Sequence, residues 1–199
     1  MICTSSASAP RGWRNRIPRQ WLFTDERLGG QQPLDPLWRA LAALPAGGGI
    51  VFRHYRWPLP ARRVLFQHIA AIARRRHLCL VASRLNMRAD GQHWPTGHWP
   101  AAASPPPFRR RQLVTAAAHG EADIHRAFAR GADLVFLSPV FATRSHPGEA
   151  VLGPLRFGLM VRHAAGPVLA LGGMDAQRAR RLAALGAQGY GGIDCWCAG

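Results

Sequence analysis

The sequence predicts a single (β/α)8 TIM barrel, and three observations carry that prediction. The strand-like apolar runs are continuous rather than alternating, as in strands covered on both faces. Segments with a 3.6-residue apolar period separate several of those runs. Eight strand candidates joined mostly by helices indicate a parallel sheet closed into a barrel. At 199 residues, 48% of them hydrophobic and 18% charged, the chain suffices for one domain with a substantial core.

The strand candidates, in order, are WLFTD (21–25), GIVFRHY (49–55), LCLVAS (78–83), GQHW (91–94), LVTAAA (113–118), LVFLSPV (134–140), PVLALGG (167–173) and YGGIDCW (190–196). Between the first two, Leu34, Leu37, Trp38, Leu41 and Leu44 fall on one helical face. Val64, Leu65, His68, Ile69 and Ile72 fall on another, and Ile124, Ala127 and Phe128 on a third. That third helix ends in RGAD, where Gly131 suits a left-handed cap. In MDAQRARRLAALGAQG, Asp175 can cap the start, Leu182 and Leu185 face inward, and Gly186 ends the helix.

Two connections depart from the pattern. Residues 84–90 leave barely two turns, and 94–110 are too proline-rich for a regular helix, so irregular helices are expected after strands three and four. No closing C-terminal helix follows strand eight. The open flank is expected to be covered by the N-terminal tail or by a second subunit of a homo-oligomer. Residues 1–20 carry four arginines and no acid; they read as a disordered basic tail, although a transit peptide has the same composition. Residues 21–199 form the barrel. An open doubly wound sheet is the alternative, but no GxGxxG follows the first strand.

The net charge is +16, and the 26 basic residues are all arginine. Without lysine, Schiff-base chemistry on a lysine is excluded. Guanidinium groups suit phosphate, so the charge favours small phosphorylated metabolites, or else nucleic acid. The arginines are dispersed, as on ordinary solvated helix faces. Cys3, Cys79, Cys195 and Cys197 make no CxxC pair, which gives neither a zinc framework nor a disulfide scaffold. Cys195 and Cys197 read as part of a reduced, half-buried strand. No apolar run approaches the roughly 18 residues of a membrane helix, so a cytoplasmic protein with no membrane partner is expected.

A barrel of this kind carries its site at the carboxyl ends of its strands. Those ends hold Thr24 to Glu26, Arg53 to Tyr55, Ser83–Arg84, His93 to His98, Ala117 to His119, Pro139 to His146, Gly172–Gly173 and Ile193–Asp194. The Gly172–Gly173 turn runs into a helix starting near Asp175, so its backbone could approach an anion closely, or it could be a plain connection.

GADLVFLSPVFATRSHPG, followed by PVLALGGM and LGAQGYGGID, resembles the thiamine phosphate synthase/TenI family. WLFTDERL and VFRHY extend the resemblance, more weakly, over most of residues 21–196. It implies a barrel of thiamine biosynthesis that joins hydroxymethylpyrimidine pyrophosphate to thiazole phosphate and releases pyrophosphate. Arg53 matches the family's strand-two arginine, while the flanking glutamine and lysine positions hold Val51 and Tyr55. His119 matches the strand-five histidine, and His146 stands at the pyrophosphate-binding lysine. The resemblance thus implies Arg53, His119 and His146 as catalytic, and Thr143, Ser145, Gly172, Gly173 and Asp194 as substrate-binding. Asp194 replaces a phosphate-holding serine. Pro139 stands where thiazole tautomerases of the family have a histidine.

Magnesium is implied too, but its carboxylates are not found. One acid position falls among Ala82, Ser83 and Arg84, the other on His98, and no metal ligand is assigned. The alternative to a transferase is therefore a non-catalytic barrel. It would bind a phosphorylated or carboxylated thiazole- or pyrimidine-like metabolite, or a protein partner. A transition-metal site among His54, His93, His98 and His119 lacks an i,i+4 pair, so these read as polar lining. Trp94, Trp99 and Phe108 between arginines resemble a single-strand nucleic-acid surface but belong to no nucleic-acid motif, so they read as packing residues.

Overall fold

A computed structural model describes residues 17–99, 112–144, 148 and 150–197. Eight parallel strands close in chain order: β1 Gln20–Phe23, β2 Gly49–Phe52, β3 Cys79–Ser83, β4 Gly91–Trp94, β5 Leu113–Ala118, β6 Leu134–Leu137, β7 Val168–Ala170 and β8 Tyr190–Gly192. All eight predicted strands are present. Polar or proline-containing ends, such as His54–Tyr55 and Ser138–Val140, fall outside the ladder and form the loops above it.

Ring packing fills the interior. Phe136 meets Phe23 at 4.8 Å and Trp21 at 5.4 Å between centroids, both edge-on. Space for these rings comes from glycine: Trp21 is in register with Gly49 on one side and Gly191 on the other. A Cβ on Gly49 would collide with the Trp21 ring, and one on Gly191 with Phe23. Alternating large and absent side chains thus fit the barrel's circumference.

Among the described residues five helices cover the strands: α1 Pro36–Ala43, α2 Leu59–Arg76, α3 Glu121–Ala129, α4 Gly153–Val161 and α5 Ala176–Ala183. The first predicted face holds except at its start. Leu34 precedes α1 and is exposed, while Leu37, Leu41 and Leu44 are buried together with Ala40, and Trp38 packs against the core. The second face is rotated. In α2, Val64 and His68 face outward and Phe66, Ala70 and Ala73 join Leu65 and Ile69 inside. An arginine-rich helix presents several competing apolar stripes, and packing on β2 and β3 selects one. Ile124 and Ala127 of α3 are buried, and Gly131 takes φ +93° after it. Asp175 caps α5, accepting from Arg178 N at 2.8 Å.

The irregular helices expected around β4 take a different form. Residues 84–90 contain no helix, and the Asp90 carboxylate folds this short turn back by accepting from Leu80 N at 2.8 Å. After β4 only a turn is described, and residues 100–111, including Phe108, lie outside the described residues. Trp94 and Trp99 pack against the core, Trp99 beneath the Arg126 and Arg130 guanidiniums of the α3 region.

At the other seam, β8 leads into a 3-10 turn, Asp194–Trp196, not a continuing strand. Cys195 and Cys197 therefore lie on and just after a turn. Trp196 is buried, stacks on Tyr190 and donates to Trp21 O at 3.0 Å, so this turn covers part of the flank beside β8 and β1. The barrel also begins before residue 21: Gln20 pairs with Tyr190, and Ile17 packs on the core. Residues 1–16 lie outside the described residues. No described helix is long and apolar enough to cross a membrane.

His93 sits among the interior rings, its Nδ1 2.8 Å from Thr115 Oγ1 and Phe23 edge-on at 5.6 Å. Burial, then the Arg53 charge, lowers its pKa from 6.5 to about 3, so the ring is neutral. The unfolded chain takes up this proton below about pH 6.5 and the folded one only near 3, so the stabilisation present above 6.5 is lost across that interval. His54, lowered by burial as well, acts in the same direction. For His93 we expect the unfolding free energy to fall by up to about 1.4 kcal/mol per pH unit between about pH 6 and 4. In His93→Gln the slope should be visibly shallower in urea titrations. An unchanged slope would remove His93 from the account.

Candidate active site

The carboxyl ends of β1, β2 and β5 to β8 enclose a cavity of about 290 Å³. Arg53, His119, Thr143, Gly172, Gly173 and Asp194 all line it. These residues span some 140 positions of sequence, and the barrel alone brings them together. Ser145 and His146 lie outside the described residues.

Arg53 is held from several sides. Its backbone N donates to Thr24 Oγ1 and its Nε to Thr24 O, both at 3.0 Å. Its Nη2 lies 3.5 Å from Asp25 Oδ2, and the guanidinium covers the Phe23 ring at 5.2 Å. Burial lowers the Arg53 pKa, but an arginine starts so high that the charge stays. Burial also opposes ionisation of Asp25. The Arg27 N–H and guanidinium and the Arg53 charge outweigh it, holding that carboxyl below its ordinary range.

Neighbouring His54 is sealed into the frame. Its Nε2 donates to Gly29 O at 3.0 Å, which leaves Nδ1 to accept from Thr24 Oγ1, also at 3.0 Å. That hydroxyl in turn receives the Arg53 N–H. His54 therefore orients Thr24 and, through it, Arg53.

His119 differs because its side reaches the cavity. Nδ1 donates to Ser138 O at 2.8 Å, so in the neutral ring Nε2 carries the lone pair that could take a proton. Opposite, beyond the end of β6, Val140 N and Phe141 N of the loop donate to Leu171 O and Gly172 O. Gly172 and Gly173 have φ of +93° and +60°, and a Cβ on Gly173 would strike the Ala142 carbonyl. The β6 loop and the Gly-Gly turn are thus packed backbone to backbone.

Cations that the sequence did not single out complete the wall. Arg178 donates to Gly173 O and lies 4.7 Å over Phe141. Arg144 lies 3.2 Å from Asp194, and Arg27 approaches the same carboxylate at 3.7 Å. Arg178 could have been suspected from its place in the first turn after the Gly-Gly motif; Arg144 and Arg27 left no signal. Cys195 also lines the cavity, but burial pushes its thiol up to about 12, which removes it as a nucleophile at neutral pH.

The far side of the mouth does not fit a magnesium ion. Between Cys79 and Ala118 the sequence holds one carboxylate, Asp90, and it is tied to Leu80 N before β4 begins. At the upper ends of β3 and β4, the Tyr55 and Ser83 hydroxyls meet at 2.7 Å. Arg84 donates to His98 Nε2 at 2.6 Å. A hard divalent cation wants several oxygen ligands, and here it would meet a guanidinium. Among the described residues no group of three or more His, Cys, Asp or Glu is placed to hold a metal ion.

Fold and cavity together define a parallel (β/α)8 barrel with an arginine-rich mouth suited to small anions. The sequence pattern described as Thiamine monophosphate synthase matches residues 22–194, and the chain belongs to that family. A thiamine-phosphate synthase of Methanoculleus marisnigri is 32% identical over 189 residues, covering 85% of this chain and 82% of that protein. Another, from Thermosynechococcus vestitus, is also 32% identical, but over 103 residues, 52% of this chain and only 29% of that longer protein. Among solved structures, thiamine phosphate pyrophosphorylase from Pyrococcus furiosus superposes with a TM-score of 0.73 at 20% identity, covering 93% of this chain and 90% of that one.

Proposed function

We propose that the protein acts in thiamine biosynthesis, in the cytoplasm, joining hydroxymethylpyrimidine pyrophosphate to thiazole phosphate with release of pyrophosphate. The convergence of Arg53, His119, Thr143 and the Gly172–Gly173 turn on one cavity carries this reading. In it, the bond between the pyrimidine methylene carbon and the pyrophosphate oxygen breaks, and the thiazole nitrogen captures the cation. Arg53, fixed by Thr24 and Asp25, faces the departing negative charge. His119 Nε2 is available to a substrate proton, and the Gly-Gly turn with Arg178 receives the thiazole phosphate.

A second reading, a barrel that binds these heterocycles without turnover, is favoured by the missing carboxylates on β3 and β4. One experiment separates the two. Purified protein is incubated with both substrates, in magnesium or in EDTA, and thiamine phosphate is measured. The first reading predicts product, with a rate in EDTA within about two-fold of that in magnesium, since no donor set for the ion stands among the described residues. Thiazole phosphate binding without product selects the second reading. Binding of neither substrate overturns both.

A further inference from the structure

The β7–β8 side of the cavity holds an anion of its own. Asp194 opens the 3-10 turn after β8 and lines the cavity together with Gly172 and Gly173. Its Oδ1 lies 3.2 Å from Arg144 Nη2 and 3.7 Å from Arg27 Nη1, and its Oδ2 accepts from Arg144 Nε at 3.4 Å. Arg27 is shared with Asp25 at 2.9 Å, so the guanidinium committed chiefly to Asp194 is Arg144. The pair is open to solvent: the side chains are 78% and 37% exposed. Such a pair is weak and exchangeable.

We propose that Asp194 is a built-in competitor for the phosphate seat, whose carboxylate takes the Arg144 hydrogen bonds that an incoming phosphate needs and which disfavours doubly charged anions. This rests on the reading of the cavity as a phosphate site. Physically, a dianion arriving at the Gly-Gly turn meets a carboxylate within the same 290 Å³ cavity. It must either displace Asp194 from Arg144 or bind beside it without that cation. A single negative charge suffers half the repulsion. Asp194 therefore sets both the affinity and the charge preference of the seat.

The test is calorimetric titration of the full chain at pH 8 with ethyl phosphate, a dianion there, and ethyl sulfate, a monoanion. The proteins are wild type, Asp194→Asn, Asp194→Ser and Asp194→Asn/Arg144→Ala. Removing the carboxylate should tighten ethyl phosphate binding about ten-fold in both single variants, the factor that corresponds to about 1.4 kcal/mol. The gain for ethyl sulfate should be distinctly smaller, whereas a merely structural change would move both ligands alike. Adding Arg144→Ala should abolish most of the gain. Equal or weaker ethyl phosphate binding in the single variants, with wild type still binding, overturns the competitor role alone. If no protein binds either ligand, the phosphate-site reading fails as well.

Discussion

Replacing Arg62 by alanine should destabilise the barrel by about 3 kcal/mol or more, with the melting temperature falling by roughly 6–12 °C. Arg62 is 7% exposed on the inner face of α2. Its Nη2 donates to the carbonyls of Arg53 and Ser83, each at 2.9 Å, and its Nη1 to that of Arg84 at 3.2 Å. These oxygens lie where β2 and β3 end and the backbone leaves the ladder. The guanidinium also lies 5.9 Å from both the Phe52 and Tyr55 rings. Burial lowers the Arg62 pKa, yet the side chain remains cationic.

Alanine would remove the donors that reach these three carbonyls, the Ser83 one buried, and open a cavity beside Phe52. Arg62→Met separates the two contributions, because methionine restores the packing and none of the donors. A loss of similar size in both variants assigns the effect to the hydrogen bonds. Wild-type stability in Arg62→Met, measured by urea unfolding, would show that packing alone matters.

The second large effect concerns Arg53. On the proposed reaction, Arg53→Ala should lower kcat/KM for thiamine phosphate formation by about 10²-fold or more, as loss of a preorganised donor to developing negative charge does elsewhere. The fold should survive, because the bond from Arg53 N to Thr24 Oγ1 belongs to the backbone and needs no guanidinium. Arg53→Lys should recover only part of the rate. A lysine ammonium cannot reproduce the planar fork that reaches Thr24 O and Asp25 together. Wild-type kcat/KM in Arg53→Ala would exclude this residue from the site, whatever the melting temperature.

Much of the architecture was legible along the chain. Runs such as GIVF and LVFL are buried along their whole length, so their continuous apolar character reports the strand directly. Asp175 and Gly131 mark helix ends through local backbone chemistry, and both act as their types imply. Helix faces were less legible: Leu34 and Val64 fit an apolar period yet face solvent, because the period does not say which stripe the sheet will accept.

The site divides similarly. Arg53, His119, Thr143 and Asp194 were named through family resemblance, Gly172 and Gly173 through their local turn as well, and the barrel places all six on one cavity. Arg62, Arg144 and Arg178 were not named. In a chain whose 26 basic residues are all arginine, residue type separates a buried clamp from a solvated face nowhere.

By itself the sequence determined the barrel class, the strand order, the exclusion of lysine chemistry and the scarcity of acids between β3 and β5. Each follows from residue type and local spacing. Only the tertiary structure decided what the charges do. Asp194 meets Arg144 across 50 residues of sequence, and Arg62 reaches the ends of two strands at once. Such pairings depend on distances of a few ångströms, and those exist only after the eight strands have closed.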